Sequence, residues 1–295
     1  MRVVVLGSGS GGNAMVVEHG GRRILVDAGF SCREIEKRLK TVGLAGSDLH
    51  ALVLTHEHVD HVRGAARLAR RFGLPVYATA GTFDGGALGE PDEENGEEPE
   101  HPVVLIRSGE PCEAAGFVVE AFAIPHDARE PVGLVIEDGD GGRLGLVADL
   151  GTRSRLAWGR LRDLDLLVLE TNHDLDMLRN GPYPWPLKQR VAGRHGHLSN
   201  GDAAEGLPEL LCDRLRWVVC YHLSRTNNLP ALAAALVTEA LAREGSPAQV
   251  AVTCQAEPSP WMEVSFEGTS HRLPAPRDPR PAGEGDLQRT LPYWD

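Results

Sequence analysis

One short stretch limits this chain more than any other. After the apolar run Leu52-Val53-Leu54 comes Thr55-His56-Glu57-His58-Val59-Asp60-His61, which sets four metal-capable side chains within six residues. The short apolar run reads as a strand, so the string falls where that strand ends. In extended backbone, alternate residues project to the same side, so His56 and His58 can reach one cation. As the chain turns into the next helix, Asp60 and His61 can face a second. Imidazole and carboxylate without thiolate suit zinc, manganese or iron. A solvated, His-rich turn would account for any one of these histidines but not for the whole H-x-H-x-D-H spacing.

Short apolar runs recur at 3–6, 15–17, 24–26, 52–54, 76–78, 103–106, 117–122, 134–136, 144–147, 166–169, 217–220 and 250–252, mostly bounded by Gly, Asp or Pro. They predict strands. Helical periodicity is expected over 32–42, 61–72, 202–211 and 229–243, the last with Asn228 before it, Pro230 in its first turn and Gly245 after it. Many strands with interspersed helices imply a layered α/β fold, sheets face to face and helices outside. Residues 1–266 are expected to form one domain carrying an acidic surface loop at 84–100. Residues 267–295, rich in Pro and Arg and ending Leu291-Pro-Tyr-Trp-Asp, are expected to be a flexible tail or an arm laid on a partner subunit. The oligomeric state stays open, a homodimer being one reading.

No run of about 18 apolar residues occurs, and the apolar start Met1-Arg-Val-Val-Val-Leu-Gly breaks at glycine, so a cytoplasmic protein without membrane contact is expected. The five cysteines (Cys32, Cys112, Cys212, Cys220, Cys254) never show C-x-x-C spacing and read as ordinary core residues. The net charge of -12 weighs against a nucleic-acid partner, but eight acidic residues and no Lys or Arg lie between Asp84 and Glu100. From Met177 to Asn200, Arg179, Lys188, Arg190 and Arg194 occur without one carboxylate, so a local basic face fits a globally acidic chain.

The H-x-H-x-D-H string, the earlier Leu25-Val26-Asp27-Ala28-Gly29, a later lone His, an Asp at a strand end and a final His together resemble the metallo-β-lactamase superfamily across residues 1–265. The resemblance implies a four-layer αββα sandwich. It maps the later metal ligands to His126, Asp149 and His222, each at or near the end of an apolar run. It also implies two divalent ions, manganese or zinc, with His56, His58 and His126 on one, Asp60, His61 and His222 on the other, and Asp149 bridging. Such a pair lowers the pKa of a shared water and clamps a phosphodiester during in-line displacement. Asp27 would then orient ligands from behind.

Four further strings, Leu6-Gly-Ser-Gly-Ser-Gly-Gly-Asn13, Glu170-Thr-Asn-His-Asp174, Gly196-His-Leu-Ser-Asn200 and His222-Leu-Ser-Arg-Thr-Asn-Asn228, resemble the YycJ (WalJ, VicX) branch. That resemblance implies a 5′-to-3′ DNA exonuclease with a role in DNA repair, RNA being a second nucleic-acid substrate to consider. Asp60, Asp149 and His197 become the catalytic residues, His197 as proton donor to the departing oxygen and His195 as its rival. Ser10, Asn13, Arg194, Ser199, Asn200 and Arg225 are candidate phosphate contacts, His173 a rim brace, and Lys188 and Arg190 either contacts or plain surface charge. Tyr183 and Trp185 read as packing residues or as a wall for a terminal base. His19, His50, His101 and His271 read as surface residues. A hydrolase of a thioester, lactone or cyclic phosphodiester, and a non-catalytic scaffold, are the competing functions. The acidic loop has no counterpart in the resemblance.

Overall fold

A computed structural model describes residues 1–88 and 101–264. In chain order the strands are β1 (Arg2–Gly7), β2 (Ala14–His19), β3 (Arg22–Val26), β4 (Ala51–Val53), β5 (Val76–Ala78) and β6 (Val103–Leu105), then β7 (Cys112–Ala114), β8 (Phe117–Ala123), β9 (Val132–Glu137), β10 (Arg143–Val147), β11 (Leu166–Glu170), β12 (Trp217–Tyr221) and β13 (Gln249–Val252), and last β14 (Met262–Glu263). Among the described residues they form two seven-stranded sheets, ordered β14-β1-β2-β3-β4-β5-β6 and β13-β12-β11-β10-β9-β8-β7. Pairing is antiparallel from β14 to β3 and parallel from β3 to β6. In the second sheet it is antiparallel from β7 to β10 and parallel from β10 to β13.

Parallel pairs need crossovers, and helices supply them. They are α1 (Cys32–Thr41), α2 (Val59–Val62), α3 (Ala65–Phe72) and α4 (Ala80–Asp84) on the first sheet. On the second they are α5 (Arg155–Arg160), α6 (Leu175–Asn180), α7 (Trp185–Val191), α8 (Asn200–Gly206) and α9 (Pro230–Arg243). Side chains alternate along each strand. Val3 and Val5 of β1 therefore face the second sheet with Leu134 and Leu146, while Val4 and Leu6 pack under Ile35, Leu39 and Leu68 of α1 and α3. On the far side Val147, Leu167 and Leu169 pack against Trp158, Ala203 and Val237. Both faces of each sheet are covered, which is why the strands read as continuous apolar runs. The result is the expected αββα sandwich.

The differences have local causes. The helix expected over 61–72 is two, because the chain passes so close to Phe30 at Gly64 that an added Cβ would lie 2.3 Å from the Phe30 carbonyl oxygen. The element expected over 202–211 is α8 followed by a 3₁₀ turn at Leu207–Leu210, where Pro208 follows directly. β7, β14 and helices α4 to α7 are too short to carry a periodic signal. His101, expected at the surface, is buried. His50 is not free either: its Nδ1 takes the Arg23 N–H at 3.3 Å. The segment 89–100 and everything after 264, including His271 and the proposed tail, lie outside the described residues. No described helix is long and apolar enough to cross a membrane.

Candidate metal centre

The parallel strands deliver their carboxyl ends to a common rim, and the polar side chains just past those ends meet there. Asp27 follows β3, the His56 to His61 string follows β4, Asp149 follows β10, Glu170 closes β11 and His222 follows β12. Asp27, Asp149 and His222 have φ of 59°, 54° and 56°, a left-handed conformation rare for residues with a Cβ. Each costs on the order of 1–3 kcal/mol and persists only where the surroundings enforce it. The strain is concentrated on the rim where these side chains converge.

Each imidazole has one nitrogen engaged, which decides the tautomer of the other. The Asp27 carboxylate takes the Nδ1 proton of His61 at 2.8 Å and the Thr55 hydroxyl at 3.0 Å. Thr55 Oγ1 lies 3.0 Å from His56 Nδ1. The Gly196 carbonyl takes the Nδ1 proton of His126 at 3.1 Å, and Glu170 Oε1 that of His222 at 2.9 Å. All four rings thus turn Nε2 inward. His58 is reversed, its Nε2 facing the Asp127 carbonyl at 3.3 Å and its Nδ1 lying 3.2 Å from His126 Nε2.

The inward atoms fall into donor sets of His56, His58 and His126, and of Asp60, His61 and His222, each within 4.8 Å, with Asp149 grouped with His56 and His61. Asp149 Oδ2 lies 2.8 Å from His61 Nε2 and 4.0 Å from His56 Nε2. His56 Nε2 is buried without any hydrogen-bond partner among the described residues, and Asp149 Oδ2 is buried with the His61 imidazole as its one close contact. Orphaned buried polar atoms are expensive, and a divalent cation held by imidazole and carboxylate would satisfy them. The donor set fits such an ion.

The electrostatics of the cluster point the same way. Burial, reinforced by the neighbouring His61, pushes His56 well below the ordinary imidazole range, a neutral ligand form. At His222 burial opposes the charge, but Asp149, Asp60 and Glu170 outweigh it and raise the ring to about 10. Burial likewise opposes ionisation of Glu170, yet His197 and His222 hold it down at about 2.

Glu170 was not singled out in the sequence, although it opens one of the strings noted above. It is fully buried. Its Oε2 takes the Leu150 and Leu198 N–H groups at 2.6 and 3.0 Å, while Oε1 takes Nδ1 protons from both His197 and His222 at 2.9 Å. His197 thus joins the centre through Glu170, and it lines the cleft above the donor sets, a cavity of about 210 Å³. His195 does not line it.

The candidate phosphate contacts divide. Ser10 is exposed and lines the cleft. Asn13 is a correction: it is fully buried, its Nδ2 3.3 Å from the Asp60 carbonyl and its Oδ1 taking the Gly9 N–H at 3.0 Å, so it braces Asp60 and cannot meet a phosphate. Two amides of the glycine loop are also spent, Gly11 N–H on Gln255 Oε1 and Gly12 N–H on the Gly9 carbonyl. Ser199 and Asn200 are further corrections. Ser199 caps α8, taking the Asp202 N–H at 3.1 Å, and Asn200 exchanges amide hydrogen bonds with Asn228 at 2.8 and 2.9 Å. Both are buried. Arg194 is exposed but belongs to a separate pocket with Arg153 and Asp202, and Arg225 is exposed outside the cleft lining. His173, named beside Asp27 as a support, is buried with both ring nitrogens unpaired among the described residues; only its backbone acts, taking the Asn200 N–H at 2.9 Å. Trp185, read chiefly as packing, is 67% exposed.

Comparison with known proteins decides the family. Residues 22–217 match the family described as "Beta-lactamase superfamily domain". The exodeoxyribonuclease YycJ of Bacillus anthracis is 34% identical over 241 residues, 82% of this chain and 89% of the relative. This chain belongs to the metallo-β-lactamase superfamily, in its YycJ/WalJ branch. The exodeoxyribonuclease WalJ of Streptococcus pneumoniae serotype 2, another branch member, is 34% identical over 243 residues, 81% of this chain and 87% of the relative. At the level of fold, the metallo-β-lactamase fold protein YhfI from Bacillus subtilis superimposes with a TM-score of 0.64 at 18% identity, covering 88% of this chain and 98% of that one. Membership in the branch makes the protein a hydrolase, and its histidine and aspartate cluster is the part of the fold suited to divalent metal.

Proposed function

We propose that the protein is a two-metal phosphodiesterase that removes nucleotides from the 5′ end of DNA. The observation that carries the reading is one cleft lined at once by His197, by Asp149 and by members of both donor sets, His58 and His126 of one and Asp60 and His222 of the other. His56, His58 and His126 would hold one divalent ion, Asp60, His61 and His222 the other, and Asp149 both, with manganese favoured over zinc for activity. Bound ions would supply Lewis acidity toward the scissile phosphate and acidify the attacking water. Asp60 and Asp149 are held ionised by the surrounding imidazoles against the effect of burial, the form in which both would ligate a cation, and Asp60, the more exposed of the two, would take the single proton that the attacking water gives up.

His197 does the remaining proton work. Its Nδ1 proton is committed to Glu170, which leaves Nε2–H to donate to the departing sugar oxygen. Burial opposes its charge, but Glu170 and Asp149 keep the ring protonated above the ordinary imidazole range, the state an acid requires. Water adds to phosphorus, the P–O bond to the sugar breaks, and the His197 proton goes to that oxygen. DNA as substrate rests on the likeness to the exodeoxyribonucleases, and the 5′ polarity on the branch resemblance of the sequence strings alone.

The test is digestion of single- and double-stranded oligonucleotides, labelled at the 5′ or 3′ end, by metal-stripped protein resupplied with manganese or zinc, beside an Asp60→Ala, His61→Ala control. Stepwise, metal-dependent loss from the 5′ end that the control abolishes is expected. Intact oligonucleotides in every arm, with turnover of a thioester, lactone or cyclic phosphodiester, would replace this reading with a small-molecule hydrolase.

A further inference from the structure

The cleft is lined by Asp60, Asp127 and Asp149, and among its lining residues Arg190 alone carries a guanidinium or ammonium group. A polyanion entering it meets three carboxylates, two of them in the proposed metal donor sets, and, beside the imidazoles, a single guanidinium. α7 presents Leu187, Arg190 and Val191 to the cleft, residues spaced three and four apart on one helical face. No residue of α7 is buried, so packing alone does not explain where this face points. The helix is fixed at its end instead: the Val191 carbonyl takes the His197 N–H at 2.9 Å. At Gly196 an added Cβ would lie 2.1 Å from the Arg190 carbonyl oxygen. Arg190 is therefore positioned by the same turn that carries His197.

Its guanidinium is also oriented. Asp127 Oδ2 takes the Nε proton of Arg190 at 2.7 Å, and Asp127 Oδ1 lies 3.4 Å from His126 Nε2. The terminal nitrogens of Arg190 make no hydrogen bond among the described residues, and its side chain is 64% exposed at the mouth of the cleft. A guanidinium whose Nε is held and whose terminal nitrogens are free is suited to take two oxygens of one phosphate. It stands at the rim, whereas His56 and Asp149 are buried at the base.

We propose that Arg190, aimed by Asp127, forms a subsite for the backbone phosphate next to the one being cleaved. The inference rests on the phosphodiesterase reading and deepens it. A phosphate in this subsite sets how far a chain enters the cleft, and a substrate with a single phosphate cannot use it.

The test compares the full-length manganese-loaded protein with Arg190→Ala, Arg190→Lys and the control Arg243→Ala, an exposed arginine of α9 outside the cleft lining. Substrates are a labelled oligonucleotide at several salt concentrations and bis(4-nitrophenyl) phosphate, which has one phosphate only. Arg190→Ala should raise the oligonucleotide KM about tenfold, consistent with losing one charge-assisted contact, while kcat stays within about threefold. The slope of log(1/KM) against log salt should shrink by about 0.7–0.9, one phosphate contact. Turnover of bis(4-nitrophenyl) phosphate should stay within about twofold. Arg190→Lys should restore the salt slope but only part of the KM, and Arg243→Ala should match wild type. A wild-type KM and slope in Arg190→Ala, or an equal loss on both substrates, would overturn the subsite. Wild-type protein inert toward both substrates would instead bring down the phosphodiesterase reading.

Discussion

Glu170 Oε1 accepts the Nδ1 proton of His197 at 2.9 Å, and the same oxygen serves His222 at 2.9 Å. One buried carboxylate therefore couples the proposed proton donor to a proposed metal ligand. Glu170→Gln should lower kcat by about 10²-fold or more and weaken metal binding by about 10–100-fold, because an amide cannot take both protons while still serving Leu150 and Leu198. Steady-state kinetics beside a metal titration would measure both. Wild-type metal affinity with unchanged kcat would show that Glu170 supports neither residue.

His197 and His222 are separable in the same way. His197→Ala should cut kcat by about 10²–10⁴-fold and leave metal content unchanged, since the ring lies outside both proposed ligand sets. His222→Ala should lose metal as well as activity. Elemental analysis of the two purified variants distinguishes the roles.

The metal-free protein should have an inverted pH dependence. His222 is raised to about 10 from an ordinary 6.5, so its stabilising charge is fully present below about 6.5 and is lost as pH rises toward about 10. Metal binding requires the neutral ring and strengthens over the same range. Thermal melts between pH 6 and 9.5 should show Tm falling with pH after chelation and rising with manganese present. Parallel trends in the two series would contradict the account.

Gly29 has an ordinary negative φ, but a Cβ there would lie 1.7 Å from the Asp60 carbonyl oxygen. Gly29→Ala should displace the Asp60 backbone, cost about 3 kcal/mol or more and abolish metal uptake. Gly159, exposed in α5 with nothing near its missing Cβ, is the contrast: Gly159→Ala should gain about 0.5–1 kcal/mol. Denaturant melts read both.

The centre was legible where chemistry and position coincide. His56, His58, Asp60 and His61 stand in one dense string, and His126, Asp149 and His222 follow apolar runs, so strand ends and donor type could be read together. Glu170 also closes a strand, but nothing local marks a carboxylate as a brace for two rings contributed from 27 and 52 residues away. Asn13, Ser199 and Asn200 look like phosphate contacts because small polar residues beside glycine or histidine are common at such sites. Their saturation by Asp60, Asp202 and Asn228 is a long-range or capping arrangement that spacing does not reveal. The strands were legible because both sheet faces are covered, whereas α6 and α7 are too short and too exposed to show a period.

The most direct test of the central claim is the rate of 5′-end degradation of labelled DNA by metal-stripped protein as manganese is added in equivalents per chain. The account predicts that activity climbs to a plateau at two equivalents and that Asp149→Ala never reaches it. A plateau at one equivalent, or full metal loading without degradation, would contradict a paired-metal phosphodiesterase.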